Sequence, residues 1–128
     1  SLSPAVAPTD VGVFPLVSNV ENLVERSEAL VDDLRDSGFS VVYDDSGSIG
    51  RRYRRQDEVG TPFCVTVDRD GLEGDGPDSV TIRERDTARQ VRVPIDSLVE
   101  ELRAVTSGGR SFDELVATYD LVAPGADA

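Results

Sequence analysis

Residues 39–67, "FSVVYDDSGSIGRRYRRQDEVGTPFCVTV", decide how the chain must be read. A short apolar strand ends in Asp44-Asp45. An Asp/Ser/Gly turn follows, then a helix of about Ser48 to Val59, then a third strand over Pro62 to Val67. Two buried-type strands joined by a helix make a βαβ unit, which demands a parallel sheet. Upstream, "VGVFPLV" (Val11 to Val17) reads as a buried strand with Pro15 near its end. It leads into "SNVENLVERSEALVDDLRDSG", where Ser18 and Glu21 have the spacing of a capping box. Leu23, Leu30, Val31 and Leu34 there form one apolar face, and Gly38 stands ready to close the helix.

Downstream of Val67, "RDGLEGDGPD" has the composition of an exposed loop. "SVTIRER" and "ARQVRV" form two strands across "DT", a predicted hairpin. "PIDSLVEELRAV" is predicted helical, with Pro94 near its start and Ser97/Glu100 as a second capping box. "SFDELVATYDLV" opens with a third box, Ser111 and Glu114. The order βαβαβ, hairpin, helices predicts a mainly parallel, three-layer α/β sheet to which the hairpin adds antiparallel pairing. There are no internal repeats.

The chain of 128 residues suits one core, and its 38% hydrophobic content marks a folded domain. The Pro/Ala-rich stretch 1–9 reads as a linker and 10–128 as the domain. No apolar run approaches the ~20 residues that span a bilayer, and no signal-peptide pattern opens the chain. The expectation is therefore a cytoplasmic protein with no membrane partner. Cys64, the only cysteine, lies in "PFCVTV" and is expected to be a buried structural thiol; the chain has no histidine to serve as its base.

Charge is the chain's most unusual property. It has 25 acidic residues and 13 cations, every one arginine, for a formal net charge of -12. An acidic, lysine-free surface suits a salt-loaded cytoplasm, where a Debye length near 3 Å screens carboxylate repulsion. Against that background, Arg51, Arg52, Arg54 and Arg55 crowd around Tyr53. At helical spacing Arg51, Arg54 and Arg55 share a face with Glu58, while Ile49 and Tyr53 project elsewhere. Two readings stand open: a solvated face laced by Arg54–Glu58 and by Arg51 with the Asp44-Asp45 turn, or an RNA-phosphate site.

In the hairpin, Arg83, Glu84, Arg85 and Asp86 alternate donors with acceptors. Such a set can read an unstacked base edge, or can be a cross-strand salt-bridge ladder of little energetic value. Asp44-Asp45 after a strand admits a metal or phosphoryl-acceptor reading, but that chemistry wants a lysine partner which the chain lacks. "SGSIG" matches neither GxGxxG nor GxxxxGK[ST].

Taken together, "VFPLV", "YDDSGSIGRRYRRQDEVGTPFCVTVD", "TIRERDTARQVRVPID" and "SFDELVATYDL" resemble the C-terminal anticodon-binding domain of glycyl-tRNA synthetases of the dimeric type found in archaea, eukaryotes and some bacteria. The resemblance covers nearly the whole chain. It implies a three-layer anticodon-binding fold, a mixed five-stranded sheet flanked by helices. It implies as partner tRNA(Gly), not DNA, and as parent reaction the ATP-dependent glycylation of that tRNA. ATP and Mg²⁺ then belong to a catalytic domain expected before Ser1; this segment is expected to carry no catalytic residue, metal or cofactor. The parent is expected to dimerise through that other domain and the segment to be monomeric.

Glycine anticodons end in two cytosines. The resemblance therefore assigns base reading to Arg83, Glu84, Arg85 and Asp86, and the grip on the anticodon-loop backbone to Arg51, Arg52, Arg54 and Arg55. Tyr53 and Phe63 are offered as stacking surfaces. Glu84 stands where aspartate is usual in the family. The alternative is a stand-alone nucleic-acid accessory protein with the same fold.

Overall fold

A computed structural model describes residues 8–123; the linker assigned to 1–9 falls mostly outside them, as do the last five residues of the predicted domain. Five strands form one mixed sheet: β1 Val11–Pro15, β2 Val41–Tyr43, β3 Phe63–Val67, β4 Ser79–Glu84 and β5 Gln90–Pro94, in the order β2-β1-β3-β4-β5. β1 pairs in parallel with β2 and β3, whereas β4 runs antiparallel to both β3 and β5. The helices are α1 Glu21–Asp36, α2 Ile49–Val59, α3 Arg69–Glu73, α4 Ile95–Thr106 and α5 Phe112–Thr118.

Strand alternation sorts the side chains. Val11, Val13, Val65, Val80, Ile82, Val91 and Val93 turn to one face, where α1, α4 and α5 bury Leu23, Leu30, Leu34, Leu98, Leu102 and Leu115 against them. The other face holds a small cluster of Phe14, Cys64 and Ile49 under α2. The β1-α1-β2 and β2-α2-β3 crossovers travel in opposite directions along the sheet, so connections of one hand put α1 and α2 on opposite faces. The three predicted layers are present, but unequally: α1, α4 and α5 cover one face, α2 covers part of the other, and the short α3 seats against β4.

Several local expectations are corrected. Ser18 and Glu21 form no capping box; α1 starts at Glu21 behind Val20, which accepts the first-turn amides through its carbonyl and packs on the core instead. Ser97 and Glu100 form none either, because β5 runs straight into α4 at Pro94 and leaves Ser97 inside the first turn; the Ile95 amide donates to the Asp78 carbonyl. Only the Ser111/Glu114 box is formed. The stretch expected to be loop opens with α3, whose Asp68 cap accepts from the Gly71 amide at 2.9 Å. A Cβ on Gly71 would lie 1.9 Å from the Ser79 carbonyl oxygen, so glycine lets this turn seat against β4. The hairpin connection is wider than "DT", running through 85–89 with Ala88 left-handed at φ 58°.

Candidate nucleic-acid interface

Helix α2 starts where Ser48 Oγ accepts from the Arg51 amide at 3.3 Å and stops at Gly60, left-handed at φ 85°. Its buried stripe is Ile49, Arg52 and Gln56, spaced i, i+3, i+7. Arg52 is only 1% exposed. It donates to the carbonyls of Pro15 and Leu16 at the end of β1 and to Gly47 before the helix, the last two at 3.2 and 3.3 Å. Burial pulls its pKa down, offset in part by Asp44 and Asp45. This corrects the expected grip of Arg52 on the anticodon-loop backbone: Arg52 is an internal tie between β1 and the β2–α2 turn.

Arg51 and Arg54 are exposed, and neither side chain has a hydrogen-bond or ion-pair partner among the described residues. The predicted pairs Arg54–Glu58 and Arg51 with the aspartate turn are replaced by one contact, Arg55 to Asp44 at 2.9 Å, with Arg55 also donating to the Ser46 carbonyl at 2.5 Å. Partial burial alone would raise the Asp44 pKa. Hydrogen bonds from the Ser46 amide, the Arg55 guanidinium and the Ser46 hydroxyl outweigh it and hold the carboxyl below its ordinary value. Asp44 is thus occupied within the turn, and no group of three potential metal ligands occurs among the described residues. Cys64 is 2% exposed and burial pushes its thiol up to about 12, so it is a packing residue as expected.

The hairpin packs directly against α2. Arg83 forks onto Asp57 at 3.0 and 3.3 Å and lies over the Tyr53 ring, 4.6 Å from its centroid. Arg85 donates to the Gly60 carbonyl at 2.8 Å and pairs with Asp86 at 3.0 Å. Glu84 accepts from the Thr87 hydroxyl at 2.6 Å and faces Arg89 at 3.5 Å, which reaches on to Asp113 at 2.7 Å. Asp86 is the most open of the four, its side chain 72% exposed.

The two arginine-bearing segments therefore share one edge of the molecule. The offered stacking surfaces fare differently. Phe63 is buried and stacks on Phe112 at 6.2 Å. Tyr53 is half-buried, sandwiched by Arg83 and the edge of Phe14, with its hydroxyl 2.7 Å from Thr66 Oγ1.

Asp57, Gly60 and Arg89 were not singled out in the sequence. Asp57 sits one helical turn after Tyr53, but its partner lies 26 residues away, and no local pattern announces that contact. Beside them opens a cleft of about 240 Å³ between α2, the bare face of β3–β5 and the segment ending at Val122, lined by Ile49, Tyr53, Thr66, Thr81, Arg83 and Gln90 among others.

Comparison with known proteins gives this geometry its context. Over 110 residues the chain is 50% identical to a glycine–tRNA ligase of Aeropyrum pernix, covering 86% of this chain and 18% of that protein. Over 93 residues it is 57% identical to the Corynebacterium glutamicum glycine–tRNA ligase, covering 73% and 19%. The chain thus spans under a fifth of the length of these relatives. Among solved structures, the RNA binding domain of threonyl-tRNA synthetase from Cryptosporidium parvum superposes with a TM-score of 0.65 at 22% identity, over 77% of this chain and 24% of that one. Histidyl-tRNA synthetase from Nostoc sp. PCC 7120 gives the same score at 21% identity, over 76% and 22%. Residues 10–105 match the family described as "Anticodon binding domain", and it is to this family that the chain belongs.

Proposed function

We propose that this domain recognises the anticodon of tRNA(Gly) as part of a glycine–tRNA ligase, positioning the tRNA for glycylation by a catalytic domain elsewhere in that protein. ATP and Mg²⁺ would be used there, not here. The carrying observation is that β4 and its turn lock onto α2 through Arg83–Asp57 and Arg85–Gly60, so unpartnered and base-edge groups share one surface. Identity near one half to glycine–tRNA ligases favours this reading over a stand-alone accessory protein.

Within it, Arg51 and Arg54 contact anticodon-loop phosphates, and Arg55 contributes from beside Asp44. Arg52 supports them from inside. Arg83, held flat by Asp57 and Tyr53, presents donors to a base edge, and the open Asp86 carboxylate accepts from a cytosine amino group, with Glu84 and Arg85 fixing the turn. In a high-salt cytoplasm counterion release contributes little, so discrimination rests on base edges more than on phosphates. The ligase would dimerise through its other domain.

The test is titration of this domain with an anticodon stem-loop ending in two cytosines and with a variant changed at both, under several salt concentrations. Tight, selective binding with chemical-shift changes at α2 and the hairpin is expected. Equal affinity for the two stem-loops, or shifts confined to α1 and α4, would sink it.

A further inference from the structure

The sheet face under α2 is polar where α2 stops covering it. Thr66, Thr81, Arg83, Gln90 and Arg92 all point there, because their strand neighbours Val65, Val80, Ile82, Val91 and Val93 fill the opposite core. Most of these groups are already engaged. Thr66 meets Tyr53, and Arg92 forks onto Asp68 at 2.7 and 3.1 Å. The Gln90 amide makes no side-chain hydrogen bond among the described residues, and Thr81 goes further: the residue is 2% exposed, and its Oγ1 is buried with no hydrogen-bond partner. A hydroxyl left unpaired in the interior opposes folding, and a valine of the same shape would fill the place without that cost. Because Thr81 lines the cleft, a polar group entering there can supply the partner its hydroxyl lacks.

We propose that this cleft receives one unstacked cytosine of the bound anticodon, and that the Thr81 hydroxyl and Gln90 amide read its hydrogen-bonding edge beside Arg83. The inference rests on the anticodon-binding reading given above. The volume of about 240 Å³ lies below the ~300 Å³ at which ordinary small-molecule pockets begin, which suits a single flat ring better than a whole nucleotide cofactor. Leu16, Ile49 and Val122 supply apolar walls for the ring faces. Cytosine presents two acceptors and an amino donor. A hydroxyl and an amide each donate and accept, and Arg83 keeps three N–H groups after its two bonds to Asp57. Thr81 and Gln90 thereby join the hairpin residues as specificity determinants, although neither belongs to the charged turn.

Thr81→Val separates reading from folding, because removal of an unpaired hydroxyl and loss of a base contact move opposite observables. The thermal midpoint is expected to hold or rise, while the dissociation constant for the two-cytosine stem-loop rises about tenfold. With an abasic site at one of the two cytosines, Thr81→Val should have no further effect. Gln90→Leu provides a second variant with the same expected pattern. Unchanged affinity and discrimination in both variants would overturn the proposal while leaving anticodon binding intact. A lowered midpoint for Thr81→Val would also overturn it, since the hydroxyl would then be serving the fold. Free cytidine should not displace the stem-loop at micromolar concentration; if it does, the cleft is a nucleoside site and the RNA assignment falls. Failure of the unaltered domain to bind the stem-loop at all would instead defeat the anticodon reading itself.

Discussion

The arginines of α2 and those of the hairpin solve opposite problems. In α2 one guanidinium is inside, tied to three carbonyls, one is paired with Asp44, and two are outside with no partner among the described residues. In the hairpin every guanidinium is spoken for: Arg83 by Asp57, Arg85 by Asp86 and Gly60, Arg89 by Glu84 and Asp113. Free guanidiniums on a flexible stem suit a diffuse target such as a phosphate chain. Guanidiniums clamped by carboxylates and an aromatic ring suit a target whose donors and acceptors sit at fixed positions. One residue type is thus divided between free and clamped guanidiniums by what each side chain touches.

The contrast can be broken most severely at Arg52. Arg52→Ala should cost about 3 kcal/mol or more of stability, read as a fall in the urea midpoint, because it orphans the Pro15, Leu16 and Gly47 carbonyls and leaves a hole under α2. Arg52→Lys should recover only part of it, since an ammonium cannot fork across the same set. Next in size, Arg83→Ala should weaken binding to a two-cytosine stem-loop by roughly 1–3 kcal/mol more than binding to a mutant anticodon. Asp86→Ala should show the same selectivity, and Asp57→Asn should reproduce part of it by releasing Arg83. Equal losses on both RNAs would show that the hairpin does not read bases.

Arg54→Ala should act on the other half of the comparison. It is expected to weaken both RNAs alike, by a few-fold, and to reduce the salt slope of binding by about 1. The smallest effect is expected at Asp44. Its folded pKa is depressed, so its contribution to stability is present above the ordinary carboxylate range and is lost as pH falls through the folded value. Asp44→Asn should therefore be modestly less stable than the unaltered domain at neutral pH and lose less on acidification, so that the two stability curves converge at low pH.

Much of the architecture was legible from the order of elements alone. Alternating strands and helices, then "TIRER" and "RQVRV", give five strands and three layers, but the sheet expected to be mainly parallel divides evenly between parallel and antiparallel pairings; "SFDE" announces a cap that is formed. The caps that failed share a cause. At Val20 core packing starts the helix, and at Pro94 a strand enters it with no linker, so the serines of the predicted boxes never reach the terminal amides. The site was legible in composition but not in partnership. The 49-52-56 spacing already placed Arg52 on the inner stripe, and that signal was available to periodicity. Nothing local revealed Asp57 as the partner of Arg83 or Thr81 as an unpaired hydroxyl, because both facts depend on strand registers and helix placements set by distant residues.

The sequence by itself determined the family, the sheet, the inert thiol and the two segments rich in arginine, since these follow from periodicity, residue type and long matched runs. Tertiary structure alone decided which arginines remain available. A guanidinium's availability is set by the carbonyls, carboxylates and rings within about 3–5 Å of it, and in this chain those groups come from strands and turns as many as 37 residues away.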